Sequence, residues 1–192
     1  MLECENQYAN YEHICGVDEA GAGPLAGPVV AAAVIMPKGL IISGAGDSKK
    51  LSEKKRLLLD KEIKKLAIAY SVYFVDNNIV DEINILQARL KAMQTAVQKL
   101  GTKPDFALVD GHIYHLDMPG VSIRKGDSLS HSIACASILA KVARDEYMVK
   151  QHEIYPQYNF AKHKGYGTKA HFEAIKEHGL CPIHRKSFIR KN

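Results

Sequence analysis

Two short apolar segments near the start of the chain constrain the fold more than any other feature. Residues 14–20 and 28–36 are short apolar runs rich in valine and isoleucine, and the intervening "GAGPLAGP" has the glycines and prolines of a tight turn. Runs of this kind are typical of buried β-strands. We therefore predict that a sheet begins here, with two adjacent carboxylates, Asp18 and Glu19, at the end of its first strand.

Helical and strand patterns then alternate along the chain. Apolar residues recur at helical spacing from Leu51, behind the candidate N-cap Ser52, and residues 69–76 alternate as in a strand. A second helix is predicted over 84–101. We expect its apolar face at Leu86, Leu90, Met93, Val97 and Leu100. The helix is expected to end at Gly101.

The second half of the sequence repeats the alternation. "DFALVDG" and "VSIRKGD" each predict a short strand that ends in a carboxylate, Asp110 and Asp127 respectively. A long helix of small residues is expected over 128–155, and a last helix follows the candidate cap Thr168. Because no repeat, low-complexity tract or linker is present, these elements predict a single α/β domain over residues 1–192.

Composition narrows the class of protein. The 192-residue chain has 26 lysines and arginines against 21 acids, a net charge of +5, which modestly favours a polyanionic partner. Its four cysteines show no CxxC spacing, which favours reduced thiols and a cytoplasmic location. No stretch has the length or composition of a signal peptide or a membrane span, so we expect no membrane partner.

The acids at the predicted strand ends suggest a chemistry. One such acid is ordinary, because strand ends often meet solvent. Several carboxylates that converge would repel one another, and hard divalent cations relieve that repulsion. A cluster of this kind predicts Mg²⁺ or Mn²⁺ and, beside a basic surface, hydrolysis of phosphodiesters. The four candidate ligands are Asp18, Glu19, Asp110 and Asp127.

The motifs together resemble a known family. "GVDEAGAGPLAGPVVAAAV", "DSKKLS", "NILQA", "LVDG", "KGDSLSHSIACASILAKVARD", "HKGYGT" and "CPIHRKSF" resemble bacterial ribonuclease HII over residues 15–188. The resemblance implies a ribonuclease H-like mixed central sheet flanked by helices, with a core over about 14–150 and a helical, substrate-contacting C-terminal part over about 151–192. It also implies an endonuclease that cuts RNA in RNA/DNA hybrids and single ribonucleotides embedded in duplex DNA, leaving 3′-hydroxyl and 5′-phosphate ends. The four acids match the family's catalytic, metal-binding positions.

The same resemblance suggests how a substrate is held. In the family a Gly-Arg-Gly loop bonds the ribose through its main chain, whereas this chain has Gly21, Ala22 and Gly23 and so lacks the arginine. Tyr166 matches a tyrosine that stacks beside the junction. A phosphate-binding donor cluster is expected at Ser48, Lys49 and Lys50, although a lysine pair is more often simply solvated.

Several other residues have plainer interpretations. Asp145 lies one helical turn after Lys141, where an ion pair is the favoured explanation. His112 and His115 have near-ligand spacing, but imidazole suits zinc better than magnesium, and we discount them. His184 and Arg185 are as consistent with packing against the domain as with substrate contact.

Two other functions remain open at this point. One is ribonuclease HIII, whose additional N-terminal domain has no room before Asp18. The other is a nucleic-acid-binding homologue with weakened or absent turnover, which the missing arginine keeps in play. A monomer is the simplest expectation for the assembly.

Overall fold

The computed structural model describes residues 2–46, 48 and 50–189. Its five strands are β1 (Ile14–Ala20), β2 (Val29–Ile35), β3 (Ala69–Val75), β4 (Phe106–Asp110) and β5 (Gly120–Ile123). Its α-helices are α1 (Glu3–Gln7), α2 (Glu53–Leu66), α3 (Asn77–Gln98), α4 (Gly126–Leu129), α5 (His131–Ile154), α6 (Phe160–His163) and α7 (Lys169–His178). Two 3₁₀ turns cover Pro156–Tyr158 and Lys186–Phe188. The predicted caps Ser52 and Thr168 are confirmed, since each side chain accepts a hydrogen bond from the third residue after it.

The strands form one mixed sheet in the order β3-β2-β1-β4-β5. β1, β2 and β3 pair antiparallel, whereas β1, β4 and β5 pair parallel. The central strand β1 is therefore antiparallel to one neighbour and parallel to the other. This arrangement confirms the expected mixed sheet with flanking helices.

Two helices cover opposite faces of the sheet. Side chains alternate between faces along a strand, so Cys15 and Val17 join the apolar cluster that contains α3. Gly16 faces α5, and a Cβ added there would lie 2.1 Å from the backbone carbonyl carbon of Ser132. Glycine thus lets α5 approach the backbone of β1 directly.

Helix α3 differs from its prediction. It begins at Asn77 rather than at 84, and Asn84 interrupts it with a φ of 66°. The Asn84 side chain accepts a hydrogen bond from the Gln87 amide at 3.1 Å and so caps the second segment. The predicted apolar face is only partly correct, because Leu86 is 42% exposed. The residues that pack closest to the sheet are small, namely Ala88, Ala92 and Ala96, with Met93 and Val97 beside them.

The segment around Asp127 also corrects the sequence analysis. Strand β5 ends at Ile123, so Asp127 does not end a strand but lies in the four-residue helix α4. The long helix α5 begins at His131 rather than at 128, with Ser130 as its N-cap. A left-handed Lys125, at φ 56°, turns the chain between β5 and α4.

A separate buried cluster joins the C-terminal segments to the rest of the chain. Tyr158, Phe160 and Ile183 pack with Met148 of α5 and Ala26 of the loop after β1. The C-terminal part therefore packs directly on the loop that bears the GAG sequence. Across the described residues, no helix combines the length and apolar character needed to cross a membrane.

Candidate active site

Asp18 and Glu19 leave the end of β1 on opposite faces. Asp18 is 6% exposed and lies on the α5 side, where it accepts hydrogen bonds from Ser137 and from the Glu19 amide. Glu19 lies on the α3 side and pairs with Arg89, with 2.5 Å between Oε1 and the guanidinium. The alternation of a strand thus gives the two adjacent acids different partners.

Asp110 connects these two acids electrostatically. Val17 is paired with Val109 in the parallel ladder between β1 and β4, so Asp110, the last residue of β4, lies level with Asp18 of β1. Burial, then the charges of Glu19 and Asp110, raise the pKa of Asp18 well above its ordinary value. Burial also raises the pKa of Glu19, with Asp110 adding to it and Arg89 opposing it. The three carboxylates therefore share one electrostatic environment.

Asp127 is tied to this group through the backbone. The amide of Gly126 donates a hydrogen bond to Asp110 Oδ1 at 2.7 Å, which places α4 against the end of β4. A Cβ at residue 126 would lie 2.5 Å from a methyl carbon of Ile133 and 3.3 Å from that same carboxylate oxygen. Glycine therefore permits the close approach. Asp127, the next residue, is buried in the same turn.

The donor set suits a hard divalent cation. Glu19 Oε2 is buried without a hydrogen-bond partner, and the raised pKa of Asp18 marks a carboxylate that a nearby positive charge would stabilise. Within residues 2–46, 48 and 50–189, no three acidic, histidine or cysteine side chains form a group that could hold a metal ion by themselves. Mg²⁺ usually binds through one or two carboxylates, keeps several waters and takes substrate phosphate oxygens as further ligands.

The GAG loop lies beside these acids, directly after β1. Gly21 adopts a φ of 93°, and a Cβ there would lie 2.1 Å from Arg144 Nε, so the protein itself requires this glycine. Gly23 is different, because the nearest atom to its added Cβ is Tyr166 Cε1 at 4.0 Å. No contact with the described residues requires glycine at position 23, and its exposed backbone is open to an external ligand.

Tyr166 forms the neighbouring wall of this loop. The ring is 45% exposed and lies within 6.0 Å of both the Lys141 ammonium and the Arg144 guanidinium. Its partners are therefore cationic groups on one side and Gly23 on another. The exposed ring is available for stacking.

The predicted donor cluster is only partly on the surface. Ser48 is buried, and its hydroxyl lies 2.8 Å from that of Ser137, so it faces the protein interior rather than a phosphate. Since Ser137 also bonds Asp18, Ser48 reaches the acids through Ser137. Lys50 is exposed, and Lys49 lies outside the described residues.

The remaining candidates have structural partners. The predicted ion pair of Asp145 with Lys141 is confirmed at 2.8 Å, and Arg56 approaches the same carboxylate at 3.7 Å. His184 is buried against His171, with 3.0 Å between their Nε2 atoms. Arg185 is fully buried and bonds the GAG loop, so its side chain does not contact a substrate directly.

Sequence reasoning missed Arg89 and Ser137 as partners of the acids. Ser137 was detectable in part, because it stands among the small residues of a helix predicted to lie against the strands. Arg89 carried no signal, since it is one of four charged residues on α3 and stands outside the quoted motifs.

Comparison with known proteins settles the family. A family model described as Ribonuclease HII matches residues 15–191. The chain belongs to the ribonuclease HII family. The resemblance inferred from the motifs is thereby confirmed, and with it the enzyme class, a ribonuclease H-type endonuclease.

Individual relatives agree with this assignment. The chain is 57% identical over 181 residues to Ribonuclease HII of Caldicellulosiruptor saccharolyticus, covering 94% of this chain and 88% of the relative. Its structure is similar to that of ribonuclease H2 from Pyrococcus horikoshii OT3, with a TM-score of 0.77, 26% identity, and coverage of 91% and 93% of the two chains. Bst-RNase HIII, solved in complex with Mn²⁺, is similar in fold, with a TM-score of 0.71, 19% identity, and coverage of 87% of this chain and 63% of that one.

Proposed function

We propose that this chain hydrolyses the phosphodiester at ribonucleotides within duplexes, both in RNA/DNA hybrids and at single ribonucleotides embedded in DNA. The products would be 3′-hydroxyl and 5′-phosphate ends. The observation that carries the proposal is the juxtaposition of Asp18 and Glu19, at the end of β1, with the exposed backbone of Gly23 four to five residues later. A hydrolytic centre and a sugar-phosphate contact are thereby adjacent.

The metal site is assigned to four acids. Asp18, Glu19, Asp110 and Asp127 would hold Mg²⁺ or Mn²⁺, and the unpartnered Oε2 of Glu19 supports this assignment. The Mn²⁺ complex of the similarly folded Bst-RNase HIII supports the choice of cation. A divalent cation bound there supplies activation of water and stabilisation of the leaving oxygen.

The chain's own residues prepare this site. Ser137 donates a hydrogen bond to Asp18, which favours its ionised form. Arg89 does the same for Glu19 through a direct ion pair. The Gly126 amide fixes the orientation of Asp110. Each of these three carboxylates therefore has a partner that holds its position before any substrate arrives.

Substrate binding is assigned to the residues around the loop. The half-buried Ala22 and the exposed Gly23 would offer backbone amides to the ribose and its phosphate, and Tyr166 would stack beside the junction. Lys50 would add a charge contact to the duplex. The net charge of +5 supports a polyanionic partner.

Location and assembly belong to the same proposal. All four cysteines are free, and Cys15, Cys135 and Cys181 are buried, which supports a reducing compartment such as the cytoplasm. A monomer remains the prediction, to be checked by sedimentation.

The proposal is tested with three labelled duplexes of one sequence: an RNA/DNA hybrid, a DNA duplex with one ribonucleotide, and an all-DNA duplex. We expect cleavage of the first two in Mg²⁺ or Mn²⁺, none of the third, and products that a ligase or phosphatase identifies as 3′-hydroxyl and 5′-phosphate ends. Binding of the ribonucleotide duplexes without cleavage would instead indicate a nucleic-acid-binding homologue.

A further inference from the structure

Two fully buried arginines lie directly beneath the GAG loop. Arg144, on α5, and Arg185, in the C-terminal segment, each have 0% exposure. Burial of a guanidinium is costly unless its donors are bonded and its charge is balanced. Packing alone therefore does not explain why both guanidinium groups are buried.

The donors of Arg185 bond backbone carbonyl groups of the loop. Its Nε donates to Gly27 O at 2.9 Å, one terminal nitrogen donates to Ala22 O at 3.1 Å and Pro24 O at 2.9 Å, and the other donates to Gly21 O at 2.7 Å. The backbone amide of Arg185 adds a bond to Leu25 O at 2.8 Å. One residue thus holds five carbonyl groups.

Arg144 completes the set from the other side. It donates to Ala26 O at 3.1 Å and Pro28 O at 3.1 Å, and a third donor bonds Lys164 O at 3.0 Å, two residues before Tyr166. Together the two arginines hold seven of the eight carbonyl groups from Gly21 to Pro28. The exception is Gly23.

The amides of the same loop are arranged differently. The amide of Leu25 donates to Gly165 O, and that of Gly27 donates to Ile183 O. Pro24 and Pro28 have no amide hydrogen to donate. In the described part of the chain, the amides of Ala22 and Gly23 have no acceptor. With the carbonyl groups drawn inward, these amides remain available on the outer side.

Neither charge is paired directly with an acid. Among the described residues, no carboxylate forms an ion pair with either guanidinium, although Asp145 acts electrostatically on Arg144 and Asp81 on Arg185. Burial and the nearby Arg144 charge lower the pKa of Arg185 to about 9, so it stays protonated at neutral pH. The two guanidinium groups therefore place positive charge directly beneath the loop, where it can attract an anion outside.

We propose that Arg185 and Arg144 are positioning residues for substrate binding. They hold the carbonyl groups of residues 21–28 inward, so that the amides of Ala22 and Gly23 face the ribose-phosphate, and their charge attracts that phosphate. This inference rests on the proposed function, because it takes the loop to be the substrate contact.

The test measures the Kd for a single-ribonucleotide duplex by fluorescence anisotropy in EDTA, where no cleavage occurs. For Arg185→Ala we expect Kd to rise at least about tenfold, as the loss of a charge-assisted contact implies. The preference over an all-DNA duplex of the same sequence should also shrink. Millimolar guanidinium chloride, far below denaturing levels, should restore binding by filling the vacated site, whereas equal sodium chloride should not.

A matched control separates positioning from general loosening of the C-terminal segment. Asn77 is also buried and bonds that segment, at Pro182 O and His184 O, without touching the loop. Asn77→Ala should keep a Kd close to that of the unaltered chain and show no response to guanidinium. Equal weakening by both variants, or an unchanged Kd for a folded Arg185→Ala, would overturn the inference.

A second variant covers the case in which Arg185→Ala does not fold. Arg185→Lys keeps the charge but cannot span four carbonyl groups, so it should fold and bind less tightly than the unaltered chain. An unchanged Kd for this variant contradicts the positioning role. Failure of the unaltered chain to cleave in Mg²⁺ or Mn²⁺ would overturn the proposed function instead, since the anisotropy assay does not depend on cleavage.

Discussion

Replacing Gly16 by alanine tests the contact between β1 and α5 on which the site is built. The added Cβ would lie 2.1 Å from the Ser132 carbonyl carbon and 2.4 Å from the Ile133 amide nitrogen. Ordinary carbon contacts are about 3.5–4.0 Å, so the strand and the helix must separate by more than about 1 Å. Both clashing groups are backbone, which leaves no side chain to rotate away.

The expected cost follows from this geometry. Overpacking a core costs about 1–3 kcal/mol, and a clash with backbone belongs at or above the upper end. For a chain of this size, about 3 kcal/mol lowers Tm by about 6–12 °C. Because α5 also carries Ser137, which bonds Asp18, cleavage should fall in the fraction that remains folded.

The assay is thermal and urea unfolding followed by circular dichroism, with reductant present for the free cysteines. Gly101→Ala is the matched control, because a Cβ at that residue meets no atom within 4 Å. The control should leave stability unchanged or raise it by up to about 1 kcal/mol. If the free energy of unfolding of Gly16→Ala lay within about 0.5 kcal/mol of that of the unaltered chain, the close approach of strand and helix would be refuted.

Three further outcomes are expected. Ala22→Arg should tighten binding of a single-ribonucleotide duplex about tenfold to a hundredfold by adding a phosphate contact. Tm should change little because Ala22 is partly exposed and lies outside the buried core, and an unchanged Kd would contradict the prediction. Duplex affinity should fall with salt at a log-log slope of roughly 0.9 per phosphate neutralised, and a flat dependence would exclude an electrostatic interface. Burial and His171 lower the pKa of His184 to about 4 from an ordinary 6.5, so between these values only the unfolded state binds its proton. The free energy of unfolding should therefore decrease as pH falls through that window, by up to about 1.4 kcal/mol per pH unit, and His184→Gln should reduce the slope in urea titrations.

The elements that the sequence predicted well depend on local patterns. Strand β4 ends at Asp110 as expected because a short apolar run followed by glycine is a local signal. The prediction that Asp127 ends a strand was wrong because α4 depends on a hydrogen bond between the Gly126 amide and Asp110, sixteen residues away. No local sequence pattern predicts a hydrogen bond between residues so far apart.

The candidate site divides in the same way. The acids were visible in the sequence because recognisable motifs carry them, at strand ends for Asp18, Glu19 and Asp110 and in α4 for Asp127, whereas their assignment as metal ligands remains a proposal. The partner Arg89 became visible only when the sheet placed α3 and α5 on opposite faces of β1, and Ser137 was detectable in part from the small residues around it. Arg185 shows most clearly what the sequence does not predict, since its five carbonyl partners lie about 160 residues away in sequence.

The central claim is that Asp110 is a ligand of a catalytic divalent cation. The most direct measurement is cleavage of a single-ribonucleotide duplex in Mn²⁺ by Asp110→Asn and by Asp117→Asn, an exposed acid used as the matched control, alongside Mn²⁺ binding by calorimetry. We expect that Asp110→Asn folds normally but loses cleavage and binds Mn²⁺ more weakly, while Asp117→Asn matches the unaltered chain. Cleavage by Asp110→Asn at the rate of the unaltered chain would contradict it.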